Sequence, residues 1–232
     1  HLVGHSPGAG VAIKVALLRP DLNTSLTLYQ PASFHVLETG SAADRVFHDE
    51  ICAVRDAVQK GFEAGDADHG MAGFIDFWNG DGVWTSMPVH SQARLAAMVP
   101  AILSDFACAC AETWTFEDLA GLAMPTLVLM GMDSPEIAQH VSAAIAAAIP
   151  QARLAMLPGL GPMAPMFEPE WVDPPQPFDI FSPHFIAVGR CRNDAGQFRE
   201  FAVGIGQPPA GIEAGNGGGL RGGGFGLCRG VC

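Results

Sequence analysis

A serine stands between two glycines in Gly4-His5-Ser6-Pro7-Gly8, and its neighbours set it between two kinds of regular structure. His1-Leu2-Val3-Gly4 reads as the end of a buried strand, and residues 9–19, rich in Ala, Val, Ile and Leu, read as a buried helix that halts at Pro20. A serine on a sharp strand-to-helix turn presents its hydroxyl at the head of a sheet, where it can attack an acyl carbon. Such chemistry needs a base to take the hydroxyl proton, an acid to orient that base and N–H groups to hold the oxyanion. Ser6 is the candidate nucleophile. Pro7 follows it and has no backbone N–H, so the donor expected from that position is missing, a loss of about 2.7 to 4 kcal/mol.

The elements that would position this serine recur along the chain. Ser25-Leu26-Thr27-Leu28-Tyr29 is a β-prone run stopped by Gln30-Pro31, which predicts a second parallel strand beside the first, reached by a right-handed crossover. From Ser41 the period changes: Phe47, Ile51, Val54, Val58 and Phe62 recur three and four apart, with Ser41 as N-cap and Asp44 three residues on. Further helical segments are expected around residues 71–78 and 91–106, joined by the turn Asn79-Gly80-Asp81-Gly82. This insertion is longer than an ordinary crossover and reads as a lid. Thr126-Leu127-Val128-Leu129-Met130-Gly131, an Ala-rich helix over residues 135–149 and Arg153-Leu154-Ala155-Met156-Leu157 then resume the strand, helix, strand pattern of a parallel sheet. Beyond about Trp171 the text turns Pro- and Gly-rich without helical or strand period, and a flexible tail is expected there.

Composition narrows the function. With 232 residues, 49% of them hydrophobic, the chain can bury one sizeable core. A net charge of -12 with only 12 Lys and Arg argues against a nucleic-acid partner and favours a small apolar or weakly charged substrate. Six cysteines lack zinc-finger spacing, so no metal is expected; Cys108-x-Cys110 falls in a helical stretch, and Cys52, Cys108 and Cys110 read as ordinary thiols, while Cys191, Cys228 and Cys232 belong to the tail. The glycine runs of the tail lack the Lys-Ser or Lys-Thr ending of a phosphate loop, and no cofactor is expected. No apolar run reaches bilayer length and the start shows no signal pattern, so no membrane association and a cytoplasmic location are expected. The first residue is His and the first strand is already near its end, which predicts a chain lacking its beginning.

His-Leu-Val-Gly-His-Ser-Pro-Gly-Ala, then Leu-Arg-Pro, Leu-Thr-Leu-Tyr, Thr-Leu-Val-Leu-Met-Gly-Met-Asp-Ser-Pro and Leu-Pro-Gly-Leu-Gly resemble segments of the α/β-hydrolase family in their family order, from His1 to about Met166. The resemblance implies an α/β fold, a mostly parallel sheet with helices on both faces and a helical lid insertion, lacking the N-terminal strands of the family. It divides the chain into core (1–35), cap (36–120), core again (121–170) and tail (171–232). It implies Asp133, in the loop after the next-to-last strand, as the catalytic acid; the alternative is that Asp133 caps the following helix. The family's Leu-Pro-Gly-x-Gly-His-Met stands here as Leu157-Pro158-Gly159-Leu160-Gly161-Pro162-Met163, so Pro162 occupies the place of the base histidine. His184 is late enough to substitute, whereas His5 belongs to the turn, and His35, His48, His69, His90 and His140 read as lid or surface residues. Phe34 and Trp78 are candidate substrate contacts, and Phe74, Phe77 and Trp84 could line the same pocket; core packing between lid helices is the alternative.

Together these readings predict a hydrolase of small ester, acyl or carbon-carbon substrates, impaired by Pro7 and Pro162. Two alternatives stand beside it: a non-catalytic relative that binds an apolar ligand or partner, and an incomplete or frame-shifted translation. An elbow strand without its outer neighbour is a sheet edge, and self-association through that edge is expected.

Overall fold

The computed structural model describes residues 1–168, Val172 and the backbone of two later strands. In chain order the elements are β1 (Leu2–His5), α1 (Pro7–Leu18), β2 (Leu26–Tyr29), α2 (His35–Glu38), α3 (Ala42–Glu63), α4 (Ala67–Asn79), α5 (Val83–Ser86), α6 (Val89–Ala96), α7 (Val99–Ala111) and α8 (Phe116–Ala120). Then follow β3 (Thr126–Gly131), α9 (Glu136–Ala148), β4 (Ala152–Leu157), α10 (Ala164–Phe167), β5 (Ile186–Arg192) and β6 (Phe198–Gly204).

Strands β1 to β4 form one parallel sheet in the order β1-β2-β3-β4, with Leu2, Leu26, Thr126 and Ala152 in register. Because the order advances in one direction, right-handed crossovers place every intervening segment on the same face. The core agrees: Leu26, Leu28 and Val128 share one cluster with Ile13 of α1, Ile51 of α3 and Val141 of α9. On the opposite face Tyr29, Leu127, Leu129, Ala155 and Leu157 meet Leu160, Ala164 of α10 and Val172. Helices therefore cover both faces of the expected α/β sheet, unequally. β1 lies at the edge of the order, and Val3 in its middle is 76% exposed.

Ser41 caps α3 as its sequence predicts: the hydroxyl accepts from Asp44 N–H, and the Asp44 carboxylate accepts from Ser41 N–H. The helical segment expected over residues 91–106 is instead two helices, α6 and α7, bent by 51°. Pro100 near the start of α7 cannot donate back to α6, so the ladder breaks there. The chain after residue 171, expected to lack regular structure, carries an antiparallel pair, with Ile186 opposite Gly204 and Arg192 opposite Phe198. Ile186, Val188, Phe198 and Val203 supply β-propensity that the surrounding Gly and Pro content obscures. The rest of the expected flexible tail lies outside the described residues. Among the described residues no single helix is long and apolar enough to cross a membrane.

Candidate active site

Ser6 joins β1 to α1 with φ 53 and ψ -122, a conformation that non-glycine residues rarely adopt. Such strain costs about 1 to 3 kcal/mol and persists only where the surroundings over-determine it. Here they do. Ser6 N–H donates to the Tyr29 carbonyl at 3.0 Å, and the Ser6 carbonyl accepts from Ala9 N–H at 3.0 Å and Ala32 N–H at 3.1 Å. The two flanking glycines have different reasons. A Cβ on Gly4 would lie 2.5 Å from Ala9 Cα, so strand and helix backbones touch at that point, whereas a Cβ on Gly8 would meet nothing within 4 Å. Pro7 opens α1, where its missing N–H breaks no helical bond.

The other sequence-selected positions follow the same ends of the neighbouring strands: Gln30 after β2, Asp133 after β3 and residues 158–162 after β4. In open parallel sheets this carboxyl end is where ligands bind. Gln30 also has a positive φ, 43, although it precedes a proline, and its amide donates to the Gly131 carbonyl at 3.3 Å. Its Oε1 and the hydroxyls of Ser33 and Ser134 are buried without a protein partner among the described residues. Polar groups left this way mark a place where a ligand or solvent can bond.

The loop after β4 is fastened by side chains of the first two strands. His5 Nε2–H donates to the Pro162 carbonyl at 2.8 Å, and the Tyr29 hydroxyl donates to the Gly161 carbonyl at 2.8 Å. The two rings meet edge to face with centroids 5.6 Å apart. Burial lowers the His5 pKa, opposed by the Pro162 carbonyl. Burial also raises the Tyr29 phenol well above its ordinary value, with the Glu168 and Asp133 carboxylates adding to it. Pro162 thus meets His5 through its carbonyl and offers no side-chain proton acceptor.

Asp133 is exposed in the loop after β3, its N–H donating to the Leu160 carbonyl at 3.0 Å. It does not cap the next helix: α9 is preceded by Pro135 as N-cap, with no side-chain cap bond. Ser134 and Pro135 separate the carboxylate from the helix start. No described histidine is hydrogen-bonded to Asp133 or to the Ser6 hydroxyl. His140 of α9 does bond a carboxylate, Asp44 of α3, but Asp44 is already engaged by Ser41. His184 lies outside the described residues.

No protein-family model and no curated protein matches the chain. Solved structures do. It is similar to a hydrolase from Oleispira antarctica at 19% identity and TM-score 0.52, over 74% of this chain and 61% of that one. It is similar to an N-acyl homoserine lactone degrading enzyme at 18% identity and TM-score 0.50, over 72% and 62%. An alpha/beta hydrolase from Sphaerobacter thermophilus aligns at 21% identity and TM-score 0.46, over 71% and 64%. The chain has the α/β-hydrolase fold. It spans 61% to 64% of the length of these three structures.

In this α/β-hydrolase fold the helices α2 to α8 stand between β2 and β3, and Phe34 and Trp78 join them to the sheet. Phe34, buried just after β2, stacks on Trp78 of α4 at 6.3 Å. Trp78 is edge-on to Phe74 and Phe77 at 6.4 and 5.0 Å, and Phe74 to Phe106 at 5.9 Å. Trp84 belongs to a separate cluster with Val58, Met71 and Val99. The structure thus brings Phe34 and Trp78 together and sets Trp84 apart. Sequence reading missed the ties from His5 and Tyr29 to the β4 loop, because strand alternation assigns both side chains to a face without naming their partners. It also missed His35, buried edge-on to Trp114, with Nε2 3.0 Å from the Trp114 carbonyl and Nδ1 3.4 Å from the Ala109 carbonyl.

Proposed function

We propose that this chain is a slow serine hydrolase of small ester, acyl or carbon-carbon substrates, with Ser6 as the nucleophile. The observation that carries the reading is the strained, three-bonded turn that holds Ser6 between β1 and α1. A structural serine has no need of φ 53, and glycine would fill that position without strain. Attack by Ser6 Oγ on an acyl carbon forms a tetrahedral oxyanion at the N-terminus of α1, whose dipole favours negative charge. Pro7 contributes no N–H, so Gly8 supplies the first backbone donor of the helix. With no histidine on Ser6, the proton leaves to solvent, and turnover is slow. In this reading Asp133, in the loop after β3, is the carboxylate that would orient a base introduced at position 162, while the Phe34 and Trp78 rings pack the cap helices against the sheet beside the site.

Hydrolysis of p-nitrophenyl acetate tests this. We expect slow release of p-nitrophenol above the buffer rate, abolished by Ser6→Ala; equal rates for parent, Ser6→Ala and buffer would refute it. Pro162 in the base position favours a second reading, a non-catalytic relative that binds an apolar ligand at the same end of the sheet. In that case the Pro7→Tyr, Pro162→His double variant stays inert, while Trp78→Ala weakens binding of an uncleavable apolar ester analogue.

A further inference from the structure

Among the described residues β1 pairs only with β2 and leaves its other side open. Leu2 N–H and Ser6 N–H donate to the carbonyls of Ser25 and Tyr29. Strand alternation therefore turns the N–H and C=O groups of Val3 and His5 away from β2, toward the open side. Edge strands are ordinarily blunted by charge, proline or a bulge, and Leu2-Val3-Gly4-His5 has no Lys, Arg, Asp, Glu or Pro and an unbroken register with β2. The helix beside this edge is uncovered as well. Ala9, Ala12, Ile13 and Ala16 of α1 are buried, whereas Val11, Val15 and Leu18, four and three residues apart, are 61%, 38% and 67% exposed, and Leu22 follows at 62%. The nearest charges are already paired, Lys14 with Glu112 and Arg19 with Asp21, each at 2.8 Å. With Val3 these side chains expose on the order of 500 Å² of apolar surface, most of the about 800 Å² that each partner contributes to a stable interface.

We propose that this face takes a second copy of the chain, β1 pairing antiparallel with β1 of that copy across a two-fold axis at Val3, so that two four-stranded sheets become one of eight. A two-fold contact must be self-complementary, and an antiparallel strand edge is: Val3 exchanges both backbone hydrogen bonds with Val3 of the second copy, and His5 pairs with His1. The helices fit the same axis. α1 contacts both β1 and β2, which sets it about half a strand spacing inside the edge. With strands about 4.8 Å apart, the two α1 helices then run antiparallel about 10 Å apart, the distance at which packed helices interdigitate. Val11 and Val15 of each copy lie between them. Closure by a two-fold uses up both edges and stops at two chains. This inference is independent of the hydrolase reading, since it does not involve the Ser6 hydroxyl.

Sedimentation of the full chain over a concentration series up to about 100 µM decides it. We expect a species of twice the 24.3 kDa chain mass and nothing larger. Val3→Lys and Val15→Glu, both at exposed positions, should each raise the dissociation constant about tenfold or more with an unchanged circular dichroism spectrum. Because each copy carries a net charge of -12, added salt should tighten the dimer by screening that repulsion. Opposed residues of an antiparallel pair lie about 5.5 Å apart, within disulfide reach, so oxidised Val3→Cys should give a self-linked Val3→Cys peptide in mass mapping, reversed by dithiothreitol. Val46→Cys, exposed on α3, should give no such self-linked peptide. A monomer at the highest concentration would overturn the proposal and leave the face to a different protein chain. So would a dimer that both Val3→Lys and Val15→Glu leave intact, a dimer that salt dissociates, or masses that grow past two chains. The parent chain's mass and the Val3→Cys link stand even if a charged variant fails to fold.

Discussion

At Ser6 three backbone hydrogen bonds hold a strained residue in place, whereas the loop after β4 is held through two of its carbonyls by His5 and Tyr29. Both regions lie at the same end of one sheet. The first spends conformational energy on holding Ser6 in a strained turn; the second packs against its neighbours and carries Pro162, which has nothing to titrate. Under the proposed function, placing a nucleophile and supplying its base are therefore separable properties of this fold. The first depends on backbone contacts among β1, α1, the end of β2 and the segment that follows it, and these do not require a histidine at position 162.

The variant expected to move most is Pro162→His. The loop's tie to His5 uses a backbone carbonyl, which the substitution keeps, so the new imidazole should raise kcat/KM for p-nitrophenyl acetate by about 10² to 10⁴, the usual contribution of a placed base. A folded variant with unchanged kcat/KM breaks the comparison. Next in size is the asymmetry of the glycines. Gly4→Ala should destabilise the chain by about 2 to 3 kcal/mol in urea unfolding, because its Cβ meets the Ala9 backbone. Gly8→Ala should stay within about 0.5 kcal/mol of the parent. Equal losses would mean that the turn does not depend on the β1 to α1 contact.

Ser6→Gly relieves the positive φ and should stabilise the fold by about 1 kcal/mol while removing all esterase activity. A loss of stability would show that the turn is unstrained. The smallest effect is expected from pH. Burial holds His5 and His35 below their ordinary value of 6.5. Between each lowered native value and 6.5 the unfolded chain binds protons that the native chain does not, so stability falls as pH drops through that window. His35→Gln should flatten the dependence of melting temperature on pH below 6.5; an unchanged slope would assign it to other groups.

Much of the sheet was legible from local pattern. Thr126–Gly131 reads as a strand from residue types alone, and Ser41 with Asp44 announces the start of α3, because both signals are short in range. The site was legible only in part. Gly4-His5-Ser6 marks the turn, yet the positive φ of Gln30, before a proline, runs against local preference and is set by contacts with β3. Asp133 is a favourable capping residue by type, but Pro135 takes the cap position and leaves the carboxylate in the loop. The break between α6 and α7 carried a signal, Pro100, which a period count across residues 91–106 smooths over.

The most direct test of the central claim, that Ser6 is held as a nucleophile and lacks a base, is site-resolved labelling with a fluorophosphonate probe. Intact mass and peptide mapping over several hours should show one slow adduct on Ser6 in the parent chain, a faster adduct at the same residue in Pro162→His, and none in Ser6→Ala. An unlabelled Ser6 in both the parent and a folded Pro162→His chain would contradict the account.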